Sequence, residues 1–364
     1  MPLPINPALK DLPVYQPGRP IQEVARELGL DAGNIIKLAS NENPLGPSRL
    51  AVAAMRDAIR HVNLYPDGNS FYLKQKLAAK LDITPANLVL GNGSNEILEL
   101  LGHALLSPGA EVVVSQYCFA VYPIVTALFG AKLVVVPAKN YAHDLDAMLA
   151  AITPATRIVF AANPNNPTGT VATRETLARF VNAVPENVLI ALDEAYVEFL
   201  DNPLDLVPEL RSGRKPNLLL MRTFSKIYGL AGLRLGFGIG HPGLIAELEK
   251  TRQPFNINAV AQAGALAALD DTAHVTKTRR NNARGLRFFA RAFRKLGLKF
   301  VPSSANFVLV HVGDGPRVFD EMQKLGVIVR LMASYQLPEW VRISVGTTKE
   351  NKRCLEALKS VLGK

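Results

Sequence analysis

The chain has 364 residues, 48% hydrophobic and 20% charged, the balance of a soluble globular protein with room for one large domain and a smaller one. Two cysteines, Cys118 and Cys354, and six scattered histidines supply neither a disulfide framework nor a zinc spacing, so a reducing cytoplasmic setting and no metal are expected. The formal charge of +10 raises the question of nucleic acid, but no nucleic-acid module accompanies it and no apolar run can cross a bilayer, so neither nucleic acid nor membrane is an expected partner.

The opening, MPLPINPALKDLPVYQPGRP, is proline-rich and has no continuous apolar segment of the signal-peptide kind. Residues 1–45 read as an arm that packs on the smaller domain or on a partner subunit, 46–265 as the large domain and 266–364 as the small one. In the large domain, LVL at 88–90 precedes GNGS and the helical pattern NEILELLGHALL. Then come EVVVSQ (111–116), KLVVVPA (132–138), RIVFAANP (157–164), NVLIALDEAY (187–196), NLLLMRTFSK (217–226) and LRLGFGIG (233–240). These runs are nearly all apolar rather than alternating. That predicts strands buried on both faces, hence an α/β fold with a mainly parallel sheet flanked by helices. Ligands bind such sheets at the carboxyl ends of the strands.

Beyond about residue 270 the texture changes. In KTRRNNARGLRFFARAFRKLGLK, Arg284, Arg287, Arg291 and Arg294 recur every three or four residues opposite Leu286, Phe289, Phe293 and Leu296, which predicts a helix with a solvated basic face. KFVPSSANFVLVHV, a second helix, VIVRLM, WVRISVG and a terminal helix over 348–362 complete a smaller α+β domain.

Polar residues stand where the buried runs end. Asp193 closes LIALD and Tyr196 follows it; Asn163, Asn166 and the turn PTG follow RIVFAA. LVLGNGSNE ends in glycines, Ser94 and Asn95 at the start of a helix, where free backbone N–H groups favour an anion such as phosphate. A dinucleotide fingerprint fails there, because Glu96 occupies the place of the third glycine. After NLLLM come Thr223, Ser225 and Lys226, and then Arg234 among glycines. Singly, each residue has a bland reading as a strand-end cap, a core phenol or a turn. Jointly they offer an amine for a Schiff base, a carboxylate for a ring nitrogen, a phenol and an amide for a ring oxygen, and a cationic, hydroxyl-rich phosphate cup. Pyridoxal 5′-phosphate needs that set. Two further arginines, Arg330 in VIVRLM and Arg342 in WVRISVG, lie in apolar strand-like runs where an unpaired guanidinium is costly. They are read as anion-binding groups, with an internal ion pair as the alternative.

On LASNENPLGPS, NLYPDGNSFYLKQKLA, GNGSNEILEL, NPNNPTG, LDEAYVEF, RTFSKIYGLAGLRLG, ANFVLV and VRISVGT, the chain resembles the fold type I pyridoxal-phosphate aminotransferases, most closely the histidinol-phosphate aminotransferase family. The resemblance implies that Lys226 attaches the cofactor, Asp193 pairs with its pyridine nitrogen, and Asn166 and Tyr196 bond its ring hydroxyl. It implies a phosphate cup of Ser94, Asn95, Thr223, Ser225 and Arg234, and Tyr117, in SQYCFAVY, stacked on the ring. Arg342, with Arg330 nearby, is implied to grip the anionic end of the substrate. Tyr65, in NLYPDG, is implied to reach the cofactor phosphate of a neighbouring subunit, which would make the active unit a homodimer. The implied reaction moves the amino group of L-histidinol phosphate to 2-oxoglutarate by a ping-pong route through a pyridoxamine form, a step of histidine biosynthesis. An aromatic amino-acid aminotransferase and an amino-acid phosphate decarboxylase of the same fold are the alternatives. A regulator built on this fold would need a helix-turn-helix ahead of the arm, and residues 1–40 supply no pattern for one.

Overall fold

The computed structural model describes Leu3, Ile5, Leu12 and residues 7–10 and 14–364; Met1, Pro2, Pro4, Asn6, Asp11 and Pro13 of the expected arm lie outside the described residues. The arm carries a helix, Ile21–Leu28, and a short strand, β1 (Ile36–Lys37). Seven strands follow: β2 (Leu88–Asn92), β3 (Glu111–Ser115), β4 (Lys132–Val136), β5 (Thr156–Ala162), β6 (Leu189–Asp193), β7 (Leu218–Thr223) and β8 (Leu235–Gly240). The last third contributes β9 (Phe300–Val301), β10 (Phe307–His311), β11 (Val327–Ile328), β12 (Arg330–Leu331) and β13 (Trp340–Ser344).

Strands β2 to β8 form one sheet in the order β2-β8-β7-β6-β5-β3-β4. Its β3–β4, β3–β5, β5–β6 and β6–β7 pairs are parallel, and β8 runs against both β7 and β2. The continuous apolar runs have the expected cause. Val113, Ile190, Leu192, Leu218 and Leu220 enter the core on one face, while Val112, Val114, Ala191, Leu219 and Met221 enter the core on the other. Where both faces are covered, as in β6, a two-residue period leaves no position for a polar side chain until the strand ends; the edge strand β4 departs from the expected double burial, with Val135 51% exposed. The parallel register then brings those ends together: Ala162 lies beside Asp193, and Asp193 beside Met221.

The second sheet, β12-β13-β10-β9, is antiparallel. Val341 and Ile343 of β13 face a core shared with Phe289 and Phe293 of the helix Thr272–Lys295 and with Leu358 of the helix Thr348–Leu362. Arg284, Arg287, Arg291 and Arg294 are exposed on that long helix, as their spacing predicts. Strand alternation sends Arg342 to the opposite face of β13. Strand β1 pairs in parallel with β11 as a two-stranded sheet of its own, and Ile35 and Ala39 pack with Ile328, Val24 and Ala25, which ties the segment after the arm helix to the strand just ahead of β12.

Candidate active site

A cavity of about 390 Å³ opens at the carboxyl ends of β5, β6 and β7. Lys226, in the turn after β7, projects its Nζ into it, donating to the Ser40 carbonyl at 3.3 Å and lying 5.7 Å from the centre of the Tyr196 ring. Burial pushes the lysine pKa down to about 8; the positive charges of Arg342 and, less strongly, Arg234 add to that, while Glu42 and Asp193 oppose it. Of the two cations, the larger influence comes from Arg342 on the other sheet.

Asp193 ends β6 with its carboxylate buried. Its Oδ2 accepts from the Tyr122 hydroxyl at 2.7 Å and its Oδ1 from the Ala195 N–H at 3.0 Å. Burial raises its pKa; these two bonds and the Lys226 charge work against the rise. The Tyr196 hydroxyl accepts from Asn41 Nδ2 at 2.9 Å, and burial holds its pKa at about 12, so it stays a neutral phenol.

Arg342 is 6% exposed. Its Nη1 donates to Asn166 Oδ1 at 2.6 Å and its Nη2 to the Ala39 carbonyl at 3.0 Å, while Nε is buried without a partner. The Phe307 ring lies 5.0 Å from the guanidinium carbon. Among the described residues Arg342 forms no ion pair with a carboxylate, which removes the ion-pair alternative for it. Arg330, on the same cavity wall, donates from Nη2 to the Gln16 carbonyl at 2.6 Å and lies over Tyr15.

Ser94, Asn95, Thr223, Ser225 and Arg234 line the cavity together with Gly232. Ser94 and Asn95 open the helix Ser94–Leu105, whose first-turn N–H groups have no acceptor within the helix. Two glycines permit this packing. Gly93 has φ +78°, and a Cβ there would strike the Arg234 guanidinium; a Cβ on Gly236 would strike the backbone nitrogen of Ser94.

Tyr117 is a correction. Its ring does not line the cavity. It stacks on Tyr141 at 5.9 Å and packs with residues that include Val301, Leu309 and Trp340. The chain turns after β3, Asn165 Nδ2 holds the Tyr117 carbonyl at 2.7 Å, and Phe119 is the aromatic residue of this segment that reaches the cavity. Tyr65 also lies outside it, 83% exposed and stacked on Phe255 at 4.8 Å. Sequence reasoning assigned no role to Phe119, Tyr122, Asn41, Tyr15 or Tyr335. For Phe119 and Tyr122 the aromatic spacing in QYCFAVY was the available signal, and for Asn41 the polar run SNEN; Tyr15 and Tyr335 carried none.

A buried amine, a buried carboxylate and a cluster of hydroxyl, amide and guanidinium groups at the strand ends suit a pyridoxal-phosphate transferase, and the chain belongs to the aminotransferase class I and II family, whose model matches residues 33–358. Its relatives bear a narrower name. It is 52% identical over 358 residues to the histidinol-phosphate aminotransferase of Akkermansia muciniphila, covering 98% of each chain, and 52% identical to histidinol-phosphate aminotransferase 2 of Ralstonia nicotianae, covering 96% of this chain and 94% of that one. The crystal structure of histidinol-phosphate aminotransferase from Sinorhizobium meliloti in complex with pyridoxal-5′-phosphate matches with TM-score 0.90 and 31% identity, over 100% of this chain and 98% of that one. L-threonine-O-3-phosphate decarboxylase from Porphyromonas gingivalis, at 21% identity and TM-score 0.82, shares the fold alone.

Proposed function

We propose that the chain is a pyridoxal 5′-phosphate-dependent aminotransferase that moves the amino group of L-histidinol phosphate to 2-oxoglutarate, giving imidazole acetol phosphate and L-glutamate. The observation that carries this reading is the pairing in one cavity of a buried amine, Lys226, with a buried guanidinium, Arg342, that among the described residues has an unpartnered Nε and no carboxylate counter-ion.

The residues present fit the cofactor. Lys226 offers the amine for attachment, Asp193 a carboxylate for the pyridine nitrogen, and Phe119 an aromatic face. Asn166, its Oδ1 engaged by Arg342, offers Nδ2–H groups, and Tyr196 its hydroxyl, to the ring oxygen. Ser94, Asn95, Thr223, Ser225 and Arg234 suit the phosphate. When bound, the cofactor supplies the electron sink that lets a Cα–H bond of the amino donor ionise. The protein supplies the base and the grip. The Lys226 amine, with a pKa near 8, is neutral in part at physiological pH and can take the Cα proton. Asp193 keeps positive charge on the ring nitrogen. Arg342, with Arg330, binds the anionic end: the phosphate of one substrate and the distal carboxylate of the other, both suited to a planar fork of donors.

The reading extends to a homodimer in which Tyr65 serves the neighbouring site. Val62, Leu64, Tyr65, Phe71 and Tyr72 are all more than half exposed within one short segment, an apolar surface that a second copy would cover. It also places the protein in the cytosol, which the free, buried thiols of Cys118 and Cys354 suit.

Steady-state rates with histidinol phosphate, phenylalanine, tyrosine and threonine phosphate, each with 2-oxoglutarate, test the substrate. Histidinol phosphate should have the largest kcat/KM. A larger value for an aromatic amino acid, or release of carbon dioxide from threonine phosphate, would replace this reading with one of its alternatives.

A further inference from the structure

Tyr122 lies in the first turn of the helix Val121–Leu128 and is fully buried. Its ring stacks on Phe160, with centroids 4.7 Å apart and planes 12° from parallel, and stands edge-on to Phe119 at 5.7 Å. Packing alone would be met by phenylalanine. A hydroxyl at such a depth is costly unless it is bonded, and this one donates to Asp193 Oδ2 at 2.7 Å.

We propose that Tyr122 is a positioning residue that sets how much negative charge Asp193 presents to the pyridine nitrogen of the bound cofactor. The inference rests on the pyridoxal-phosphate reading of the cavity. Two donors, the Tyr122 hydroxyl on Oδ2 and the Ala195 N–H on Oδ1, fix the plane of the carboxylate. A donor to an ionised carboxylate withdraws charge and lowers its proton affinity. In a buried pair of carboxylate and ring nitrogen, that decides which partner holds the shared proton. With the hydroxyl in place, the carboxylate stays ionised and the ring keeps its positive charge. Without it, burial dominates and the proton moves toward Asp193.

The other groups facing this pair are Lys226, which favours the carboxylate, and Tyr196, Cys118 and Glu194, whose charged forms would oppose that of Tyr122 or of Asp193 itself. Burial keeps Cys118 at about 12 and Tyr196 at about 12, so neither carries charge near neutrality. The Tyr122 hydroxyl is thus the neutral group that acts most directly on Asp193. Because the same ring abuts Phe119, the groups for the edge and the face of the cofactor are both referenced to one side chain.

The test is Tyr122→Phe in the holoenzyme, with Phe160→Leu as a packing control that keeps the hydroxyl. Less positive charge on the ring strengthens proton binding at the nitrogen joining cofactor to Lys226. The pH midpoint of the visible absorbance should therefore move up by about half to one pH unit, with kcat falling on the order of tenfold and KM for histidinol phosphate changed less than about twofold. In an Asp193→Asn background, Tyr122→Phe should move the midpoint no further. Phe160→Leu should lower Tm and leave the midpoint in place. An unmoved midpoint in Tyr122→Phe, or an equal shift in Phe160→Leu, overturns the proposal. A wild-type protein with no visible absorbance would instead overturn the cofactor reading beneath it.

Discussion

Arg342 Nη1 donates to Asn166 Oδ1 at 2.6 Å, so a residue of the second sheet orients an amide that lies at the end of the large one. On the proposed reading, one side chain thereby links the groups that would face the substrate to those that would face the cofactor. Arg342→Ala should raise KM for histidinol phosphate and glutamate together, with a loss of about 2–5 kcal/mol in kcat/KM, because the substrate anion would lose its buried partner and keep only Arg330. Arg342→Lys should rescue poorly, since an ammonium cannot reproduce the forked contact. A variant that melts early yet keeps both KM values would assign Arg342 to stability alone.

The depressed pKa of Lys226 makes a pH prediction with a definite sign. The neutral amine is the reactive form, and burial with Arg342 places its midpoint at about 8. Covalent capture of pyridoxal phosphate by the cofactor-free protein should accelerate roughly tenfold per pH unit below that midpoint and level off above it. Arg342→Ala removes a nearby positive charge, so the amine holds its proton more tightly and the plateau should begin at higher pH. Stopped-flow absorbance measures both profiles. A plateau that begins earlier in the variant would contradict the electrostatic account.

Gly236→Ala drives a Cβ onto the backbone nitrogen of Ser94, one of the groups proposed to hold the cofactor phosphate. Overpacking of this kind costs about 1–3 kcal/mol. Cofactor retention during dialysis should fall more sharply than in Gly297→Ala, a site where added atoms meet nothing but where φ is +66°. Equal retention in the two variants would show that the close approach is irrelevant to binding.

Tyr65 and Lys226 test the dimer. If Tyr65 serves the opposite site, mixing inactive Tyr65→Ala and Lys226→Ala proteins produces mixed dimers with both lesions in one site and none in the other. Activity should recover toward roughly a quarter of wild type after random exchange. No recovery, with exchange demonstrated by tagged subunits, would place every essential group in one chain.

Much of this architecture was legible in the sequence because buried parallel strands demand continuous apolar runs, and their polar ends announce a site. Asp193, Asn166, Lys226 and Arg234 could be read for that reason, and Arg342 because an unpaired guanidinium is costly within the apolar run WVRISVG. The failures fall where periodicity stops. Between β3 and the helix Val121–Leu128 the backbone turns without a repeat, so nothing local decides whether Tyr117 or Phe119 faces the cavity. The helix Ile21–Leu28 is amphipathic but short and follows Pro20, and the proline-rich texture of its surroundings concealed it. The pairing of Ile36 with Val327 and the bond from Asn41 to Tyr196 are long-range, and no single segment encodes them.

The central claim is that Lys226 is the amine that holds the cofactor. Purified protein should absorb in the visible, and reduction with sodium borohydride followed by peptide mapping should place the pyridoxyl label on the peptide containing Lys226. Lys226→Ala should retain no reducible label while its Tm stays close to that of the cofactor-free wild type. A label on any other lysine, or a label that persists in Lys226→Ala, would contradict the account at its root.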